Sequence, residues 1–167
     1  MIAELETERL LLRRFGSDDL DSMTAMFSDP LSMEHLGGPR SREQCQADLR
    51  KYVATWEIHE WGPLAVIRKQ DNKLIGRSGI WPCRVEDELE LEVGYFIERE
   101  SWNRGYATEA CLGVLTAGRE NGLDRIVALI DPSNVASVRV ADKSGLVFER
   151  ATRVDEKSLH LYSTAKR

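Results

Sequence analysis

The stretch SWNRGYATEA, residues 101–110, sets a glycine directly ahead of residues that begin a helix. A helix start leaves its first N–H groups without intrahelical acceptors, and the aligned peptide dipoles add positive potential there, so such a turn can hold an anion. The spacing predicts unpaired N–H groups from Arg104 to Thr108. Gly105 keeps a Cβ out of a ligand's approach, Ala107 keeps the second turn small, and Arg104 and Thr108 add a charge and a hydroxyl. No Gly-Lys-Ser/Thr follows, as nucleoside triphosphate loops require, and the three-glycine dinucleotide pattern is lacking, so another phosphate-bearing ligand is implied. Close packing of a helix on a sheet selects the same small residues and is the competing reading.

The elements that must position this turn are legible from periodicity. Upstream, Leu89, Leu91 and Val93 alternate with Glu88, Glu90 and Glu92, the pattern of a half-buried strand. Gly94 interrupts it before Tyr95, Phe96 and Ile97, which predicts a bulge or splay that frees backbone groups. Downstream, Ala107, Ala110, Cys111, Val114 and Leu115 mark one helical face, with Gly122 as its C-cap. TERLLLRRF reads as a strand. A helix follows Ser17, with Leu20, Met23, Met26 and Phe27 on one face, and a second begins near Ser41, with Cys45, Leu49, Tyr52, Val53 and Trp56 on one face. Between them DPLSMEHLGGPRS is a Pro- and Gly-rich loop. PLAVIRK and KLIGRSGIW form a hairpin across QDN, and RVEDE separates them from the acidic strand. DRIVALI is a strand, NVASVRVADKSG a short helix closed by Gly145, and LVFER and SLHLYST the last strands.

The 167 residues suit one domain, 1–167, and 42% hydrophobic with 31% charged residues fits a globular chain. A net charge of -5 argues against a nucleic-acid partner. Cys45, Cys83 and Cys111 lack metal or redox spacing and are odd in number, and His35, His59 and His160 show no paired ligand spacing, so neither a disulfide framework nor a metal site is expected. The N-terminal residues carry no long apolar run, so no membrane span is expected and the cytoplasm is the simplest setting.

YFIERESWNRGYATEA resembles the acyl-CoA pyrophosphate loop of the GNAT superfamily of N-acetyltransferases, and NVASVRVADKSGLVFE resembles their later helix and strand. TERLLLRRF and DPLSMEHLGGPRSREQ are similar to the branch that includes the ribosomal-protein N-terminal acetyltransferases. The resemblance implies an α/β (α+β) domain with a mixed, mostly antiparallel sheet splayed into a V and helices on both faces. It implies acetyl-CoA as donor, an amine acceptor that is a peptide N-terminus or a small molecule, and a homodimer. Two positions depart from the family pattern: Trp102 stands where an Arg or Gln is common, and a tyrosine thought to protonate the leaving thiolate falls at Ala141.

Under that resemblance Arg104, Gly105, Tyr106, Ala107 and Thr108 bind the pyrophosphate, backbone groups of Phe96 and Ile97 bind the pantetheine arm, and Asn134 contacts the same arm. Acetyl transfer to an amine needs a proton acceptor, and Glu92 is the candidate general base, against the reading of a solvated strand acid. Ser137 is the candidate proton donor to the thiolate; both Asn134 and Ser137 also suit simple helix caps. Tyr95 is a second candidate acid or a core tyrosine. Cys111 reads as a small buried hydrophobe, Trp56 as core, Trp61 and Trp81 as core or groove, and Glu34 and His35 as acceptor contacts or surface loop. The departures at Trp102 and Ala141 leave open a non-catalytic acyl-CoA sensor.

Overall fold

A computed structural model describes residues 4–164. The chain opens with β1 (Glu4–Glu6) and β2 (Leu10–Arg14), passes a 3-10 turn into α1 (Leu20–Phe27), and crosses the loop to α2 (Arg42–Ile58). Then come β3 (Pro63–Arg68), β4 (Lys73–Val85), β5 (Glu88–Ile97), α3 (Tyr106–Glu120), β6 (Val127–Ile130), α4 (Val135–Lys143), β7 (Val147–Val154) and β8 (Lys157–Ser163). The strands make one sheet in the order β1-β2-β3-β4-β5-β6-β8-β7. Every pairing is antiparallel except β5 with β6.

The two faces have separate cores. Ala110, Cys111, Val114 and Leu115 of α3 and Ala141 of α4 pack with Val66, Ile80, Val93 and Ile97 on one face. Met23, Met26 and Phe27 of α1 and Cys45 and Leu49 of α2 pack with Ala65, Ile67 and Phe96 on the other. Ser41 caps α2 in a reciprocal box: the Gln44 N–H donates to its hydroxyl at 3.3 Å, and the Ser41 N–H donates to the Gln44 side chain at 2.8 Å. Trp56 is core, its indole N–H donating to the Pro63 carbonyl at 2.8 Å.

Sequence patterning misplaces three details. Val53 is 40% exposed, because the buried stripe of α2 narrows to Cys45, Leu49 and Trp56. β4 runs on to Val85, so RVEDE is not a loop: Val85 pairs with Glu88, and only Glu86 and Asp87 turn, with Glu86 left-handed at φ 57°. On β5 the alternation inverts at its start, with Leu89 71% exposed at the hairpin end and Glu90 only 5% exposed. Glu90 tolerates burial because the Arg125 guanidinium reaches its carboxylate at 3.1 Å and that of Glu149 at 2.9 Å.

Candidate active site

β5 and β6 share a single bridge, Glu92 with Val127, and part beyond it. The splay expected near Gly94 is therefore between β5 and β6. A bulge is absent, since β5 pairs with β4 without a register shift from Ile97 through Glu88. Gly94 serves a different contact: a Cβ there would stand 2.2 Å from Cη2 of Trp81, so the glycine makes room for the indole.

The Glu98 N–H donates to the Ile75 carbonyl at 2.8 Å, which sets the ladder's phase. Even-numbered residues of β5 turn their backbone groups to β4, and odd-numbered ones turn theirs to the edge that β6 leaves. Phe96 consequently lies on the β4 ladder, opposite Arg77, with its ring edge-on to Phe27 at 4.9 Å. The expectation that its backbone serves the ligand is corrected: Tyr95 and Ile97 face the opening. The Ile97 carbonyl already accepts the Trp102 indole N–H at 2.7 Å. Trp102 thus ties the loop to the end of β5.

Gly105 is the N-cap of α3 with φ 82° and ψ 3°, a left-handed conformation that favours glycine. Tyr106, Ala107 and Thr108 form the first turn, whose N–H groups point out of the helix start. Sequence reading missed the residue that fixes this turn. Arg9, 95 residues away, donates through Nη1 to the Arg104 carbonyl at 2.9 Å and through Nε to Glu109 at 2.6 Å, and stacks 4.6 Å over the Tyr106 ring. The Glu109 carboxylate also accepts the Thr7 hydroxyl at 2.6 Å; burial opposes its charge, but these bonds prevail and hold it below the usual range. No local signal marks Arg9, since its partners come from the other end of the fold.

Where β5 and β6 part, an open cavity of about 620 Å³ collects Glu92, Asn134 and Ser137 with Glu34 and His35 of the α1–α2 loop, and with Asp155 and Lys157 of the β7–β8 hairpin. Arg104 to Thr108 are not in its wall. The Glu92 carboxylate accepts the Trp81 indole N–H at 3.1 Å. Burial pushes the carboxyl up to about 7, against the Trp81 bond and the charge of Arg77, which favour ionisation. The three alternating acids thus differ: Glu88 is exposed, Glu90 is ion-paired, and Glu92 faces the cavity.

Asn134 is the N-cap of α4, its side-chain oxygen accepting the Ser137 N–H at 3.1 Å. Tyr95 spans the opening, donating its hydroxyl to the Ser137 carbonyl at 2.7 Å, and burial drives its pKa far above the ordinary tyrosine range, so the hydroxyl keeps its proton. Ala141 is fully buried. Cys111 is also fully buried and its thiol is pushed up to about 11, so it is no thiolate at neutral pH. His35 Nδ1 stands 3.9 Å from Asp131 on the cavity rim.

Residues 9–147 match the model of the acetyltransferase (GNAT) domain, and the chain belongs to that acetyltransferase family. The uncharacterized N-acetyltransferase YoaA of Bacillus subtilis is 30% identical over 92% of this chain and 88% of its own length. The crystal structure of an acetyltransferase from Agrobacterium tumefaciens superposes with a TM-score of 0.85 at 26% identity, covering 99% of this chain and 96% of that one. RimL, a ribosomal alpha-N-protein acetyltransferase in complex with coenzyme A, shares the fold at a TM-score of 0.80 and 12% identity, over 96% of each chain.

Proposed function

We propose that the protein transfers an acetyl group from acetyl-CoA to a primary amine, a peptide N-terminus or a small molecule, with Glu92 as general base. The observation that carries this reading is the position of Glu92: a carboxyl raised to about 7, facing a cavity at the point where the sheet opens. A base with a pKa near 7 exists in both forms at neutral pH, so it can accept a proton and release it each turnover.

The residues present suit the donor. The free edge at Tyr95 and Ile97 offers backbone groups to an extended amide-bearing arm, and the left-handed Gly105 with the first turn of α3 offers N–H groups to a pyrophosphate. Arg104, Gly105, Tyr106, Ala107 and Thr108 would hold that end, and Asn134 would use its amide N–H toward the arm. Bound acetyl-CoA supplies an acyl carbon already activated by a thioester and a stable thiolate as leaving group. Glu92 takes a proton from the acceptor's ammonium, directly or through water, and leaves a neutral amine whose lone pair attacks the thioester carbonyl. Ser137 keeps a hydroxyl proton at the cavity wall for the departing sulfur, while the Tyr95 proton is committed to the Ser137 carbonyl.

Thiol release from acetyl-CoA with a panel of amines tests this reading. Glu92→Gln is expected to lower kcat/KM by about 10²- to 10⁴-fold, with the affinity for acetyl-CoA retained. Unchanged turnover in that variant contradicts it. The buried Ala141 favours one other reading, acyl-CoA binding without turnover. Under it, wild-type protein binds the thioester and no amine releases thiol.

A further inference from the structure

The cavity that holds Glu92 is also lined by Arg77, which among the described residues lies in no ion pair. Arg77 rises from β4 on the same face as Trp81, and Trp81 lies directly across from Glu92. The Arg77 guanidinium stands 5.2 Å from the centre of the Trp81 ring and 5.4 Å from that of Tyr52, and Nη1 donates to the Tyr52 hydroxyl. Its Nε is buried without a hydrogen-bond partner. Among the described residues Arg77 makes no ion pair, whereas Arg13, Arg68 and Arg125 approach carboxylates at 2.8, 2.6 and 2.9 Å.

Among the described residues of the site, the charge of Arg77 is offset only in part, through its field at Glu92. Glu92 hydrogen-bonds Trp81, and with its carboxyl raised to about 7 it is only partly ionised at neutral pH. Of the other cavity acids, Glu34 and Asp155 are exposed at the rim and Asp131 faces His35. The pantetheine arm of the donor is uncharged, and the turn proposed for its pyrophosphate lies outside the cavity wall. A partly buried cation gains most from an anion that arrives with a ligand, and a guanidinium fixed by two rings and the Tyr52 hydroxyl holds its remaining N–H groups in one direction, toward a carboxylate.

We propose that the acceptor is a primary amine bearing a carboxylate, which Arg77 binds while the amine faces Glu92. The proposal rests on the acetyl-transfer reading above and narrows its acceptor. A free amino acid and a peptide with an acidic first residue share this chemistry.

The test compares thiol release from acetyl-CoA with free L-amino acids against their carboxamides, and with tripeptides beginning in Asp or Glu against those beginning in Asn or Gln. Wild type, Arg77→Met and Arg77→Lys are assayed, with melting temperatures to verify folding and calorimetry to verify acetyl-CoA binding. The expected result is a preference for the acid over its amide of about 10- to 100-fold in kcat/KM in one of the two arms. That arm identifies the source of the carboxylate. Arg77→Met should erase the preference by raising KM for the acids and not for the amides, while any loss of kcat from a Glu92 carboxyl raised further falls on acids and amides alike; Arg77→Lys should keep part of the preference.

Equal use of acids and amides overturns the proposal and leaves acetyl transfer standing. So does Arg77→Met lowering both alike with the preference kept, which would make Arg77 a support for Glu92, and so does thiol release with none of the carboxylate-bearing acceptors while acetyl-CoA binds. Failure of wild type to bind acetyl-CoA overturns the acetyl-transfer reading, and this proposal with it.

Discussion

At Glu92 burial outweighs both the Trp81 hydrogen bond and the charge of Arg77. Because its carboxyl is raised from about 4.5 to about 7, kcat/KM should climb with pH through a limb near 7, and Glu92→Gln should lose that limb. The same shift bears on stability. The folded state favours the protonated form, so Glu92's contribution is fully present below about pH 4.5 and is lost as pH rises through about 7. Glu92→Gln removes that loss: thermal or urea unfolding should show the variant gaining on wild type between pH 5 and pH 8, on the order of 1 to 3 kcal/mol. A gain that is independent of pH would contradict the raised carboxyl. Glu92 and Gly105 could be singled out in sequence because their signals are local, an alternating strand and a helix start. Arg77 and Arg9 could not, since what makes each matter is a partner on another strand or helix, and Trp81 was legible only as core or groove.

At the scale of elements, β5 is shaped as much by β4 as by its own residues. Gly94 is read in sequence as a bulge or splay; β5 has no bulge there, and the glycine also admits the Trp81 ring that holds Glu92. Gly94→Ala places a methyl against Cη2 and should cost about 1 to 3 kcal/mol in urea unfolding, with the Glu92 limb of the pH profile displaced as the indole moves. An unchanged pH profile would show that Trp81 does not govern the base. The helices were legible where a 3.6-residue stripe runs beside a stop signal, as in α3, although its C-cap is Asn121 and the left-handed Gly122 is the residue after it. The length of β4 was not, because Arg84, Glu86 and Asp87 resemble turn residues and only pairing with β5 shows the strand continuing to Val85.

At the scale of the molecule, the sheet is two sub-sheets joined at one bridge, Glu92 with Val127, and Arg125 braces that junction by contacting Glu90 on β5 and Glu149 on β7. Removing the cation leaves Glu90, almost fully buried, without its main counter-charge. Arg125→Met should cost about 3 to 5 kcal/mol in denaturant unfolding, whereas a loss below about 1 kcal/mol, the range of surface pairs, would show the brace to be incidental. The V was expected only through resemblance to the GNAT family. Periodicity yields strands but not their order, and nothing local in SLHLYST says that β8 inserts between β6 and β7.

The most direct test of the account is a calorimetric titration of acetyl-CoA into wild type, Glu92→Gln and Gly105→Glu. Wild type and Glu92→Gln should bind saturably with similar affinity, and Gly105→Glu should lose binding, because a carboxylate and a strained left-handed residue would both oppose a pyrophosphate. Absence of binding by folded wild type, or full binding by Gly105→Glu, would contradict that expectation.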